Sequence, residues 1–291
     1  MTKFYSDILQ EPVELSKTLN FTLGEGKPAL DQAVRLLREA AHIYIVGIGS
    51  SWNAGLGLMS FFHAAGRPAI LCEASELLHF GQIPKNSAVI FLSRSGKSIE
   101  IVRLLDRAAA SGAKIIAITN TPESPLALKA DVVLKMMAAF DHAVSVSMYS
   151  AMALVGGLLA SALEGKLDDS LKKDLEDAIS NLPASIKSWT EQISASEWLD
   201  PRGPVYLLGR GGSLATCHEG ELLWEEAAKL PASAMPTGGF RHGPQEVIRK
   251  GLRIALWIDR ETMRSQDLAV AADLKKLGAK VLVIGDRKSV V

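Results

Sequence analysis

Short apolar segments alternate along the chain with longer segments in which apolar and polar residues recur with a helical period. The apolar segments are rich in Val, Ile and Leu, as is typical of parallel strands that are covered on both faces of a sheet. In the first half they lie at residues 43–46, 69–72, 89–92, 115–118 and 132–134. This alternation predicts an α/β fold with three layers, in which helices cover both faces of a parallel sheet.

The pattern occurs twice. Residues 43–51 form an apolar strand that enters a Gly/Ser turn, and residues 205–213 repeat this arrangement. The pattern of residues 112–118 likewise recurs at residues 278–284, and matching positions lie between 162 and 166 residues apart. A constant spacing over several elements predicts a duplicated flavodoxin-like βαβ domain, with function where the two halves meet.

We predict four regions along the chain. A helical segment at 1–42 precedes a first α/β domain at 43–165, and a helical linker at 166–204 leads to a second α/β domain at 205–291. Within the linker, Pro183 is expected to end one helix. The second copy stops seven residues after Ile284, where the first copy continues for more than forty. We therefore expect an incomplete second domain with an unpaired sheet edge and exposed apolar surface at its last strand.

Composition narrows the classes of function. Lys plus Arg equals Asp plus Glu at 32 each, without a basic stripe, so no nucleic-acid partner is expected. Two cysteines are too few for a disulfide or zinc framework and, without a signal peptide, favour a cytoplasmic location. Residues 143–163 carry no charge and could span a bilayer by length. Their serines and Gly156-Gly157 favour a buried helix instead, so no membrane association is expected.

The turn after the third strand combines hydroxyl groups, cations and the start of a helix at about Ser98. Its candidate phosphate ligands are Ser93, Arg94, Ser95 and Ser98. The N-terminus of a helix binds anions through its unpaired N–H groups, although one such turn alone is more often only a serine-rich N-cap. Ser50 and Ser51 follow a neighbouring strand and are expected at the same edge, which favours a phosphate site. The equivalent turn of the second half, residues 259–262, is acidic, so we expect phosphate in the first half only.

A dinucleotide site is the alternative interpretation of Gly47 and Gly49. Trp52 stands where that fingerprint requires a third glycine, so no nucleotide cofactor is expected. No cluster of His, Asp or Glu has the spacing of metal ligands, so no metal is expected either.

The second half carries the acid–base candidates. A helix predicted from Ser213 to Leu230 turns by about 100° per residue, which places Glu225 on the polar stripe and Glu226 among apolar residues. Desolvation there would suit Glu226 as a general base, and a structural hydrogen bond or ion pair is the equal alternative. His242 lies in a glycine-rich loop before Pro244, which is expected at the first position of a helix. That helix N-terminus would keep the His242 ring neutral and able to exchange protons.

Together these residues resemble the sugar isomerase (SIS) family, above all the tandem-SIS isomerase half of glucosamine-6-phosphate synthase and stand-alone phosphosugar isomerases and deaminases. The resemblance covers residues 44–284, and its most specific part runs from Gly209 to Pro244. It implies that a serine-rich turn like residues 93–98, with a serine matching Ser51, binds the sugar phosphate. It also implies that a glutamate matching Glu226 moves a proton between C1 and C2.

In the same family a histidine matching His242 assists ring opening, usually from the other subunit of a homodimer whose active site lies at the subunit interface. Ser147 lies in a segment that loosely matches a phosphate-proximal serine run. Leu223 stands where the synthase has a lysine, and Lys97 stands where it has an acid. Residues 1–42 do not resemble the glutaminase domain of the synthase. The resemblance therefore implies an isomerase or deaminase of a hexose or hexosamine 6-phosphate, rather than a glutamine-dependent synthase. A fructosamine-6-phosphate deglycase and a non-catalytic sugar-phosphate-binding protein are the alternatives.

Overall fold

The computed structural model describes residues 1–199 and 203–285, which form two compact units at residues 1–184 and 185–291. The elements of the first unit are α1 (Lys3–Leu23), α2 (Lys27–Glu39), β1 (His42–Gly47), α3 (Ser50–Ala64), β2 (Ile70–Glu73), α4 (Ala74–Phe80), β3 (Ser87–Leu92), α5 (Ile99–Ser111), β4 (Lys114–Thr119), α6 (Pro125–Lys129), β5 (Val132–Lys135) and α7 (Ser147–Glu164). The helix α8 (Asp169–Ser194) begins in the first unit and continues into the second. The described part of the second unit then contains a 3₁₀ turn (Glu197–Leu199), β6 (Val205–Gly209), α9 (Gly212–Leu223), a π-helical turn (Trp224–Ala228), β7 (Ala232–Pro236), α10 (Thr237–Arg241), a 3₁₀ turn (Pro244–Val247), β8 (Arg253–Trp257), α11 (Arg264–Lys276) and β9 (Lys280–Ile284).

The first sheet is parallel, with strand order β2-β1-β3-β4-β5. Alternate residues of β1 point to opposite faces, as strand geometry requires. Ile43 and Ile45 pack in a core with side chains of α2, α3 and α7, whereas Tyr44 and Val46 pack with side chains of α4, α5 and α6. Helices therefore cover both faces, and the five predicted strands and the three-layer arrangement of this unit are confirmed.

The second sheet is also parallel, with strand order β7-β6-β8-β9 among the described residues. When the strands of each unit are counted from its own first strand, both sheets begin with the order second, first, third, fourth. One face packs with α10 and α11 and the other with α9, again with alternate strand residues on opposite sides. The shared order is what a duplication would produce, and the duplication itself stays a prediction.

The uncharged segment that could span a bilayer forms α7. By length and composition α7 could cross a membrane, but 56% of it is buried within the protein. It packs against α1, α2 and α3 of the same unit and contributes Met148, Val155 and Leu159 to the core. The prediction of a buried helix is confirmed.

Two helix ends differ from the predictions. Pro183 lies inside α8 and does not end a helix there. A proline removes one N–H group from the helical ladder, but Pro183 is exposed, so water can bind the carbonyl group that loses its partner. Ser213 is not the N-cap of α9, because Gly211 takes that position with a φ of 51°, which favours glycine.

The ends of β1 and β6 are glycines because the following helix approaches each strand closely. A Cβ atom on Gly47 would lie 2.6 Å from the carbonyl carbon of Ser51 and 2.7 Å from the amide nitrogen of Trp52. A Cβ atom on Gly209 would lie 2.8 Å from Sγ of Cys217. These contacts are too short for a side chain, so glycine allows each helix to begin directly at the end of its strand.

We predict that Gly47→Ala lowers the free energy of unfolding by about 1–3 kcal/mol, because α3 must shift to relieve a backbone clash. Gly157→Ala in α7 is the matched control, since its Cβ atom would meet its nearest neighbour, Cε2 of Phe61, at 3.8 Å. That variant should be unchanged or more stable by up to about 1 kcal/mol, because alanine favours a helix. Urea denaturation measures both, and equal losses would contradict the close-approach explanation.

Candidate functional site

Two turns that lead into helices lie side by side at one edge of the first sheet. β1 and β3 pair in parallel, with Val46 opposite Phe91, and they end at Gly47 and Leu92. The turn before α3 and the turn at residues 93–98, called here the serine turn, therefore follow adjacent carboxyl ends, as predicted. α3 packs on one face of the sheet and α5 on the other, so the strand order changes direction here. Open α/β sheets bind ligands at such a switch point.

The serine turn is closed by its own hydroxyl groups. Oγ of Ser93 accepts a hydrogen bond from the amide of Gly96 at 3.1 Å, and Oγ of Ser95 accepts one from the amide of Lys97 at 3.3 Å. Ser98 is the N-cap of α5, yet its hydroxyl makes no capping hydrogen bond within the described residues. The first amides of α5 thus lack their usual side-chain partner and are oriented to bind an anion.

The carbonyl oxygen of Arg94, which would repel an anion, is engaged elsewhere. It accepts hydrogen bonds from the amide of Asn120 and from the hydroxyl groups of Thr119 and Thr121, each at 3.2 Å. The guanidinium group of Arg94 lies over the ring of Phe140, 5.5 Å from its centroid. The turn therefore combines amide groups, hydroxyl groups and a cation, which suits phosphate.

The corresponding turn of the second unit is closed by carboxylates. Oδ2 of Asp259 accepts hydrogen bonds from the amides of Met263 at 2.8 Å and Glu261 at 3.3 Å. Asp267 is fully buried and accepts from the amide of Asp259 at 3.1 Å and from Nε of Arg210 at 2.7 Å. Negative side chains already bind these donors, so the contrast favours the first unit as the anion site.

The other predicted phosphate ligands lie at the starts of two different helices, α3 and α7. Ser50 and Ser51 begin α3, and both are half-buried beside the end of β1. Ser147 is buried at the first position of α7, and its amide donates to Oδ1 of Asp141 at 3.0 Å. Asp141 also accepts from the amides of Val146 and Met148, at 3.0 and 3.1 Å. A carboxylate thus occupies the N-terminus of α7, and the role of Ser147 as a phosphate ligand stays a prediction.

The segment between β5 and α7, residues 136–146, is held by carboxylates of α1. Asp7 is buried, and its Oδ2 accepts the amide of His142 at 2.9 Å while its Oδ1 lies 2.5 Å from Nδ1 of the same residue. Burial alone would raise the pKa of Asp7, but the hydrogen bonds and charge of His142 hold that pKa below its ordinary value. Oε2 of Glu14 accepts the amide of Ala139 at 2.7 Å. Helix α1 thus fixes the segment that carries Phe140.

The predicted environment of Glu226 is wrong. α9 ends at Leu223, and the chain continues through a π-helical turn in which Glu225 and Glu226 are both exposed. A π turn contains more residues than an α turn, so the angular phase calculated for a continuous α-helix fails after Leu223. Glu219, which precedes the π turn, is 2% exposed.

His242 is exposed and lies between two short helical segments. The predicted loop contains α10, for which His242 is the C-cap, and the amide of His242 donates to the carbonyl oxygen of Gly239 at 3.1 Å. Pro244 begins the following 3₁₀ turn, as predicted. His242 therefore ends one helix before it precedes the next. The two opposite helix ends remove the basis for the predicted effect of one helix dipole on the ring.

Residues 36–162, which contain both turns of the first unit, match the family described as the SIS domain. The match assigns a SIS domain to residues 36–162. Over 287 residues the chain is 25% identical to the glutamine--fructose-6-phosphate aminotransferase [isomerizing] of Sulfolobus acidocaldarius, covering 98% of this chain and 47% of that protein. The chain thus spans about half the length of the curated relatives that it matches.

Solved structures resemble the whole fold. The C-terminal domain of glucosamine-fructose-6-phosphate aminotransferase from Francisella tularensis has a TM-score of 0.87 and 23% identity, covering 99% of this chain and 84% of that chain. A glucosamine-6-phosphate deaminase from Thermotoga maritima has a TM-score of 0.84 and 22% identity, covering 98% and 85%. These structures share the fold of the SIS domain and of the second unit.

Sequence reasoning missed three residues that shape the SIS-domain site. Asp141 caps α7 from six residues before the helix begins, so a search for an adjacent N-cap residue does not find it. Asn120 donates its amide to Arg94 and its Nδ2 to the carbonyl oxygen of Ala138 at 2.8 Å, and Phe140 contacts Arg94. The only sequence signal for Asn120 is a polar residue directly after β4, at the same sheet edge as the serine turn.

We predict that Ser98→Ala weakens binding of inorganic phosphate by about 1–3 kcal/mol, because a hydrogen bond to a charged ligand is lost at the start of α5. Thr262→Ala, in the turn after β8, is the control and should leave the affinity unchanged because carboxylates already close that turn. Isothermal titration calorimetry measures both variants. A comparable loss in Thr262→Ala would show that the anion site does not belong to the SIS domain.

Proposed function

We propose that this protein is an enzyme that isomerises a hexose or hexosamine 6-phosphate by moving a proton between C1 and C2, with or without loss of ammonia. The observation that supports this most is the serine turn, where hydroxyl groups, a cation and uncapped amides meet at the switch point of a SIS domain. The relatives support the same class of substrate, since their names refer to fructose 6-phosphate and glucosamine 6-phosphate.

The phosphate group would bind at the edge formed by the two turns. Ser51, Ser95 and Ser98 offer hydroxyl groups, the start of α5 offers amides, and Arg94 offers a guanidinium group that can donate two parallel hydrogen bonds. Ser50 and Ser93 complete the proposed set, although the Ser93 hydroxyl already stabilises the turn by accepting from Gly96. These contacts hold the sugar by its non-reacting end and leave C1 and C2 available for proton transfer.

The chemical step requires a base that moves one proton and an acid that opens the ring. We assign the base to Glu226: its carboxylate takes the proton from C2 of the open-chain aldose while O1 gains a proton from solvent, which gives a cis-enediol or enolamine. Glu226 then returns its proton to C1 while the substituent on C2 loses one to solvent and becomes a carbonyl or imine, and water hydrolyses the imine where ammonia is lost. His242 would donate a proton to the ring oxygen as the C1–O5 bond breaks. Both side chains are exposed and so are accessible to a ligand. The same shuttle would serve a deglycase that acts on a 6-phosphorylated fructosamine.

A non-catalytic sugar-phosphate-binding protein is the second candidate. The exposure of Glu226 and His242 favours this second candidate, because acid–base catalysts are usually held in a desolvated site.

The resemblance also supports a cytoplasmic homodimer with its active site at the subunit interface, and a second unit that arose as a duplicate SIS domain.

We predict that Glu226→Gln slows exchange of the C2 hydrogen of glucosamine 6-phosphate with solvent deuterium by at least about 100-fold, because a general base contributes at least that factor. Proton NMR in D₂O follows the exchange, and binding of the sugar phosphate should survive. Glu225→Gln is the control and should exchange at the rate of the wild-type protein.

Persistence of exchange in Glu226→Gln would overturn the assignment of the base. A wild-type protein that binds the sugar phosphate and catalyses neither exchange nor ammonia release would establish the non-catalytic alternative.

A further inference from the structure

We propose that Phe140 is a positioning residue, which holds the guanidinium group of Arg94 in place for the phosphate group of the ligand. The inference rests on the proposed function, since it concerns the same anion site. It begins from a feature that the sequence pattern did not indicate, an exposed aromatic ring directly beside the cation of the serine turn.

Arg94 has a fixed backbone and an available charge. Its carbonyl oxygen is held by three donors, from Thr119, Asn120 and Thr121, so the start of its side chain has one position. Among the residues that the structure describes, its guanidinium group forms no ion pair, and its contact is the face of the Phe140 ring. An unpaired arginine side chain would otherwise sample many rotamers, and the ring restricts them before a ligand arrives.

Phe140 is itself held firmly although its side chain is 54% exposed. On its N-terminal side, the carbonyl oxygen of Ala138 accepts from Asn120 and the amide of Ala139 donates to Glu14. On its C-terminal side, the amide of His142 donates to the buried Asp7. This fixed segment therefore presents an exposed apolar ring to the guanidinium group of Arg94.

Asn120 links the two partners directly. Its amide binds the carbonyl oxygen of Arg94 at 3.2 Å, and its Nδ2 binds that of Ala138 at 2.8 Å. The serine turn and the segment at residues 136–146 are therefore joined once through Asn120 and once through the stacked pair. The guanidinium carbon lies over the ring, 5.5 Å from its centroid, and a guanidinium group held in this way can still donate two parallel N–H groups to phosphate oxygens.

A double-mutant cycle with inorganic phosphate as the probe tests this inference. Phe140→Leu keeps an apolar side chain but removes the ring, and we expect the phosphate affinity measured by calorimetry to fall by about 2–5-fold. Phe140→Tyr preserves the ring face and should bind as the wild-type protein does. In an Arg94→Gln background, which itself weakens binding, Phe140→Leu should have no further effect. Phe80→Leu, at a residue 82% exposed elsewhere in the same unit, is the control and should bind phosphate normally.

The outcomes distinguish the positioning role of Phe140 from the phosphate site itself. If Phe140→Leu weakens binding equally with and without Arg94, or does not weaken it at all while Ser98→Ala does, the positioning role is wrong and the phosphate site remains. If the wild-type protein binds no phosphate, or binds it without dependence on Ser98, the anion site itself is wrong and the role of Phe140 falls with it.

Discussion

The parallel pairing of β1 with β3 is the constraint on which the site depends. The two strands end side by side, and their helices leave toward opposite faces of the sheet, so two helix N-termini begin at the same edge. Amide dipoles from both helices then point toward the same edge of the sheet. Gly47 allows α3 to start directly at the strand, and the positive φ of Gly96 allows the serine turn to fold back before α5. The chemistry of the site follows from which side chains occupy that edge.

The two units share one sheet topology but differ in the turn that follows the third strand. Both have parallel sheets with the same strand order, and both have a turn that leads into a helix after the third strand. In the first unit the turn is closed by serine hydroxyl groups and leaves the helix uncapped, whereas in the second Asp259 binds the amides of Glu261 and Met263. A carboxylate in that position both satisfies the donors and repels a second anion. The difference between the two turns therefore lies in a few polar side chains on a common frame, and we propose that it restricts the anion site to the first unit.

Sequence reasoning succeeded where one local rule decided the structure. Continuous apolar runs predicted the buried strands of the first unit, and the rule for parallel sheets predicted that the turns after β1 and β3 follow adjacent strand ends. It failed where contacts between residues far apart in the sequence determine the local structure. The phase of Glu226 depended on a π turn that begins at Trp224, whose ring packs against Trp198 and over the guanidinium group of Arg253. The caps and contacts made by Asp7, Asp141 and Phe140 join segments that local patterns treat separately.

The central claim is that the amides at the start of α5 bind the phosphate group of the ligand and that the equivalent amides of the second unit do not. Addition of inorganic phosphate to ¹⁵N-labelled protein, followed by amide chemical shifts, tests it most directly. We expect saturable shifts at Ser98, Ile99 and Glu100, with the amides of Glu261 and Met263 unchanged because Asp259 already binds them. Shifts of similar size at both turns, or at the second turn alone, would contradict it.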